Sequence, residues 1–206
     1  MSTLELPLFP LRTVLFPGGN LPLRIFEPRY LDMISRCMRE ESGFGVMLIR
    51  TGVESRGTRD AEQPDIFSVG TEARIVDFNQ LSDGLLGIVC RGGAKLRVLE
   101  TREADDHLLM GSVQHLPEEP VGKLTEQHEP LVDILRELLK HPMIEKLGLD
   151  VQFDNARSVS WRLAELLPIE PEIKQSLLQM GLPQERLAEL NRLVAKLRGD
   201  QAAAGR

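Results

Sequence analysis

Aromatic side chains are scarce in this chain, with one Trp, one Tyr and seven Phe among 206 residues, so a core must be assembled from Leu, Val and Ile. Cysteine is scarcer still. Cys37 and Cys90 stand far apart, each inside an apolar segment, and neither belongs to a Cys-x-x-Cys pair. That pattern excludes a disulfide framework and a short-spaced thiolate metal site, and both thiols read as reduced core residues. No apolar run approaches the ~18 residues that suggest a membrane span, and residues 1–8 lack a basic stretch followed by a long apolar one. The expectation is a cytoplasmic protein with no membrane partner. Positive charge is short as well: a net charge of −6 and a pI near 5.3 repel a phosphate backbone at long range, which leaves nucleic-acid binding to a local basic patch.

What is present is an ordinary globular mixture, 42% hydrophobic and 27% charged, in a length that suits one medium domain or two small ones. Two periodicities divide it. From Leu4 to about Leu116 the apolar residues alternate, as in Leu4, Leu6 and Leu8, or form short runs bounded by Gly, Pro, Asn and Asp, which is the strand signature. Phe44 to Ile49 and Ile66 to Phe78 read as strands. The Asp83-Gly84 turn predicts a hairpin onto Leu85 to Cys90, and Leu96 to Thr101 and Leu108 to Leu116 read as two more strands around a polar tip. One helix interrupts them, opened by Pro28 and carrying Tyr30, Ile34, Cys37 and Met38 at helical spacing until Gly43; such a helix suits the plug of one end of a barrel.

Beyond Pro117-Glu118-Glu119-Pro120 the period turns helical. Leu124, Leu131, Leu135 and Leu138 form one stripe, ended by His141-Pro142. Asp154 or Asn155 suits the cap of a helix through Trp161 to Leu167. Pro171 and Gly181 bracket a third helix, and Pro183 opens a fourth whose stripe ends before Gly199. The predicted organisation is α+β: a β-rich unit over 1–118, an α-helical bundle over 119–200 and a flexible tail over 201–206.

Specific runs carry a family resemblance. Pro7-Leu8-Phe9-Pro10-Leu11-Arg12-Thr13-Val14-Leu15-Phe16-Pro17-Gly18, then Asn20-Leu21-Pro22-Leu23, Glu27-Pro28-Arg29-Tyr30, Phe67-Ser68-Val69-Gly70-Thr71 and Leu96-Arg97-Val98 resemble, in order and spacing, the amino-terminal domain of Lon-type ATP-dependent proteases. In the helical half, Trp161-Arg162-Leu163-Ala164, Lys174-Gln175-Ser176-Leu177-Leu178-Gln179 and Glu185-Arg186-Leu187 are similar too. The resemblance implies a small PUA-like β-barrel, mixed and mostly antiparallel, with an inserted helix, followed by a helical bundle. It also implies a substrate-recognition module that holds unfolded or partly folded polypeptides and works with a protease or chaperone. The sequence departs from the family at Gly93-Ala94-Lys95 and in the polar Thr51 to Asp65 loop. Most of the motif residues have a backbone role, since Pro stiffens edges and turns and Gly permits close approach.

Catalytic signals are missing. An ATP-binding loop G-x-x-x-x-G-K-[ST] is absent: Gly122-Lys123 is followed by Leu124 and has Pro117 where the first glycine belongs. Ser160 and Ser176 fall on helices without the elbow that exposes a nucleophile. His107, His115, His128 and His141 are not paired at metal-site spacings, and Asp105-Asp106-His107 reads as a solvated hairpin tip. No catalytic residue, cofactor or metal is therefore expected. Arg50, Arg56, Arg59 and Arg74 would be the basic face of an RNA-binding alternative, against which stand Glu54, Asp60, Glu62, Asp65 and Glu72 and the lack of interleaved aromatics. The candidate peptide contacts are Phe9, Leu11, Phe16, Phe26 and Tyr30, large apolar residues crowded into Pro-rich segments. Self-association through the helical half is left open.

Overall fold

The computed structural model describes residues 3–54 and 63–204, with side chains through Arg198. The fold is α+β, in two compact units, Met1–Glu118 and Glu119–Arg206.

In the first unit, β1 (Leu4–Leu11), β2 (Asn20–Ile25), α1 (Pro28–Glu40), β3 (Phe44–Thr51), β4 (Asp65–Ile66), β5 (Val69–Gln80), β6 (Leu86–Glu103) and β7 (Leu109–His115) follow one another. Hydrogen-bonded neighbours run β1, β7, β6, β5, β3, and β3 returns to β1. The closing contact is parallel, with Leu8 opposite Gly45 and Phe9 opposite Val46; the other contacts in the ring are antiparallel. A ring of strands without free edges in its path is a small barrel.

Strand periodicity then sorts side chains to two cores. Leu6 and Leu8 of β1 join Met47, Leu96, Leu109 and Val113 in a cluster drawn from β1, β3, β6 and β7, the interior of the ring. Phe9 and Leu11, facing the other way, join Phe44, Val46, Ile88 and Cys90 with Tyr30, Met33, Ile34 and Cys37 of α1. Helix α1 therefore lies over the outer face of the sheet. The sequence suggested a plug at one end of a barrel; the helix instead roofs the outside, because Phe9, Phe44 and Val46 offer it a second apolar surface there.

The longest strand, β6, is 18 residues, where two separate strands were expected. Its first part lies between β2 and β5, with Leu23 and Phe78 both opposite Ile88, and its second part pairs with β7. Glycine at position 92 serves a close approach within this strand: a Cβ there would collide with the Phe16 carbonyl oxygen. There Gly18 N–H donates to the Gly92 carbonyl (2.7 Å) and Gly92 N–H to the Gly19 carbonyl (2.9 Å). Conversely, the predicted strand Ile66 to Phe78 is divided, with the two-residue β4 on β3 and β5 beginning at Val69.

The second unit contains a 3₁₀ turn (Glu126–His128), then α2 (Glu129–Leu139), α3 (Pro142–Glu145), α4 (Ala156–Leu166), α5 (Pro171–Gln179) and α6 (Pro183–Ala204). Prolines stand in the first turn of α2, α3 and α5, where the missing N–H costs no helical bond. Asn155 caps α4 by accepting from the N–H groups of Arg157 (3.0 Å) and Ser158 (3.3 Å). Leu124 precedes the 3₁₀ turn and is not helical. The expected stop before Gly199 is also overruled: α6 continues through it to Ala204, since one glycine weakens a helix by about 1 kcal/mol without ending it.

A buried ion pair fixes this bundle. The Arg186 guanidinium donates to both carboxylate oxygens of Glu119 (2.6 and 2.9 Å), to Ser160 Oγ (3.0 Å) and to the carbonyls of Leu177 (2.9 Å) and Met180 (2.8 Å), with both ionic side chains out of solvent. Arg186→Met strands the Glu119 charge and should lower the urea-unfolding free energy by about 3–5 kcal/mol, most of it regained when Glu119→Leu is added. The thiols supply a second test. Both cysteines are free and buried, and desolvation pushes Cys37 up and Cys90 to about 12. Iodoacetamide at pH 8 should label the native protein on the order of a thousandfold more slowly than the urea-unfolded chain.

Candidate binding cleft

Between β2 and the first turn of α1, the first unit opens a cleft of about 390 Å³ lined by Phe9, Leu11, Pro22, Leu23, Arg24, Ile25, Phe26, Glu27, Tyr30 and Glu54. Its floor is set by β1. The alternation that sends Leu8 into the barrel sends Phe9 and Leu11 outward, where Phe9 stacks on Tyr30 (centroids 4.0 Å, 22° between planes) and tilts against Phe44 at 6.0 Å. These are the offset geometries that aromatic quadrupoles favour.

One wall is β2, which among the described residues pairs with β6 alone; Pro22 suits such an edge strand because it has no N–H to donate. The chain then passes through Phe26 and Glu27 in a single step before Pro28 starts the helix. With so short a connection Phe26 cannot turn into the core, and it stands 56% exposed at the rim.

The polar side of the cleft is organised by Arg29, buried at the start of α1. Its guanidinium pairs with Glu27 (2.8 and 3.0 Å), donates to the His107 carbonyl at 3.0 Å and lies 4.5 Å from the Tyr30 ring centre. One residue thereby ties the β6–β7 turn to α1 and orients the Glu27 carboxylate. His107 itself adopts φ +64°, and its ring bonds Glu103. The polar tip containing Asp105 and Asp106 is thus a turn, with Asp106 accepting from the Leu108 N–H at 3.0 Å.

Of the five contacts drawn from the sequence, Phe9, Leu11, Phe26 and Tyr30 line this one cleft. Phe16 does not: it is fully buried and absent from the lining. Phe9, Leu11 and Tyr30 are themselves at least 95% buried, so they form the floor, and Phe26 is the member that projects. Sequence reasoning missed Pro22, Leu23, Arg24, Ile25, Glu27 and Glu54. The alternation of Leu21, Leu23 and Ile25 could have signalled the wall; Glu54, in a loop, carries no signal.

Elsewhere the polar candidates serve local structure. Ser160 donates to the Arg157 carbonyl and accepts from Arg186, and Ser176 donates to the Glu172 carbonyl. His115 bonds Glu72 at 2.7 Å, His128 bonds Thr125 and is held below its ordinary pKa by burial, and His141 accepts from the Met143 N–H at the start of α3. Among the described residues no group of three or more His, Cys, Asp or Glu side chains is placed to hold a metal ion, and no helix is long and apolar enough to cross a membrane. Arg50 faces Asp65 at 3.5 Å and Arg74 faces Glu72 at 3.4 Å; Arg56, Arg59, Asp60 and Glu62 lie outside the described residues.

The different placement of two phenylalanines is directly testable. Phe16→Ala should cost about 3–5 kcal/mol of stability in thermal or urea unfolding, whereas Phe26→Ala should stay within about 0.5 kcal/mol of wild type.

Comparison with known proteins places this architecture. The chain resembles the crystal structure of a Lon N-terminal domain protein from Xanthomonas campestris, with 38% identity, a TM-score of 0.74 and coverage of 92% of this chain and 98% of that one. It shares the fold of the N-terminal domain of the Mycobacterium avium complex Lon protease at 17% identity and a TM-score of 0.59, covering 90% and 95% of the two chains. Among full-length relatives, it is 27% identical over 203 residues to a Lon protease of Bacillus thuringiensis (strain Al Hakam), covering 92% of this chain and 24% of that protein. It is 34% identical over 104 residues to one of Anaeromyxobacter dehalogenans (strain 2CP-C), covering 50% and 12%; the chain thus spans a quarter or less of these relatives. The pattern that defines the substrate-binding domain of the ATP-dependent protease La (LON) matches residues 5–196, and the chain belongs to that family.

Proposed function

We propose that this chain is a non-enzymatic polypeptide-binding module that seats exposed apolar side chains of unfolded or partly folded proteins in the cleft between β2 and α1. It would work in the cytoplasm beside a protease or chaperone that supplies the ATPase and proteolytic chemistry. The observation that carries the reading is the cleft itself: a rigid floor of Phe9, Leu11 and Tyr30 under an exposed Phe26, with a mostly apolar wall and few polar groups. Preformed concave apolar surface of this kind binds side chains by removing their area from water and discriminates little between them.

Magnitudes favour weak, general recognition. Burying one large apolar side chain is worth about 1.5–3 kcal/mol, so a single anchor yields affinity far short of a dedicated complex and suits clients that share only exposed hydrophobicity.

Fluorescence anisotropy with a labelled, uncharged extended peptide carrying one Leu or Phe checks the reading. Phe26→Ser should weaken binding about ten- to thirtyfold, corresponding to loss of one partly buried ring, with the circular dichroism melt unchanged. Equal affinity in wild type and variant would remove the cleft as the seat.

A further inference from the structure

A second cleft, of about 340 Å³, opens at the other end of α1. Cys37, Met38, Glu41 and Ser42 supply one side and the segment Arg74 to Phe78 of β5 the other. It exists because β5 parts from β3 after Ala73, the last residue of that pairing, and runs on to Gln80 with β6. The register shifts between Ile75 and Asp77, and this bulge turns Phe78 into the gap, where it is 56% exposed beside Met38 at 38%. Between the two clefts Leu31 is 37% exposed; Leu31 and Met38 are seven residues apart, hence on one face of α1. Exposed apolar side chains thus run from Phe26 past Leu31 to Met38 and Phe78, along a helix whose other face is core.

Charge identifies what would lie on this track. Among the described residues lining the two clefts the exposed carboxylates Glu41, Glu54 and Asp77 outnumber the arginines Arg24 and Arg74, which already face Asp83 and Glu72, and the exposed charged residue of α1 between the clefts is Asp32. The occupant complementary to such a surface is apolar at two points and cationic between them.

Spacing follows from geometry. The first cleft meets α1 at Tyr30 and the second at Cys37 to Glu41, which at 1.5 Å per residue is a separation of roughly 10–17 Å along the helix axis, about 13 Å to the middle of the second contact. An extended chain covers that length in on the order of four to five residues at about 3.3 Å each. We propose that the two clefts act together as a bipartite seat for one extended polypeptide with large apolar side chains four to five residues apart and Lys or Arg between them. This inference rests on the binding role proposed for the first cleft and names the class of segment it prefers. Linking two weak sites raises affinity only when the spacer fits the span.

The experiment uses the whole chain and labelled extended peptides with one Leu anchor, or with two separated by two, four or ten residues, the spacer being Lys/Gly or Glu/Gly. The Lys/Gly peptide of four-residue spacing should bind at least about tenfold more tightly than the one-anchor peptide, and more tightly than its two-residue and Glu/Gly counterparts. Phe78→Ser, and independently Met38→Ser on the opposite wall, should abolish that gain and reduce the two-anchor peptide to one-anchor affinity that is still lost on Phe26→Ser. A gain that ignores spacing, or that survives both substitutions, overturns the bipartite seat while one-anchor binding sensitive to Phe26→Ser leaves the first cleft standing. Absence of binding by any peptide overturns both.

Discussion

Everything in the barrel unit follows from the parallel contact between β1 and β3. It is the bond that closes the ring, and it forces β1 to be buried on both faces. A strand in an open antiparallel sheet needs one apolar face; this one needs two, since its inward residues fill the barrel and its outward residues hold α1. Leu6 and Leu8 meet the first demand, Phe9 and Leu11 the second. The core of the ring and the floor of the binding cleft are thus successive residues of one strand, and a shift of register by one would exchange them.

That coupling explains why the cleft is preformed. Phe9 is fixed by β1 backbone pairing, Tyr30 stacks on it, and Arg29 anchors the first turn of α1 to the β6–β7 turn through the His107 carbonyl and to Glu27. Little conformational entropy is left to lose on the protein side, so the modest free energy of burying one side chain is not consumed in ordering the site. The cost is that substitutions in the floor act on stability and on the proposed binding together, whereas those at Phe26 separate the two.

Much of this was legible in the sequence. The change from a period of two to a period near 3.6 separated strands from helices, the Asp83-Gly84 turn marked the β5–β6 hairpin, and Asn155 was recognisable as a cap. What misled was local chemistry answering a distant need. Gly92 reads from the sequence as a site of backbone freedom, yet its absent Cβ makes room for the Phe16 carbonyl from elsewhere in the chain. Phe9 and Leu11 interrupt the Leu4, Leu6, Leu8 alternation and look surplus to a core; only closure of the ring shows that there are two cores to fill. Phe16 looked the same by composition and is buried, because nothing in a single sequence distinguishes an apolar residue at a cleft from one beneath a crossing strand.

Phe26 is the instructive case. It was selected for the same compositional reason as Phe16, but what exposes it is the single-step connection from β2 to α1. Ile25 must stay in register with Leu86, and Pro28 must occupy the first turn of the helix, which leaves only Glu27, the cap residue, between Phe26 and the helix. A large apolar side chain held in water by the covalent path of the chain is a standing cost near 2 kcal/mol relative to burial. Any extended apolar segment laid over it recovers part of that free energy without a change in the protein, which is the physical basis of the proposed recognition by exposed hydrophobicity and not by a particular sequence.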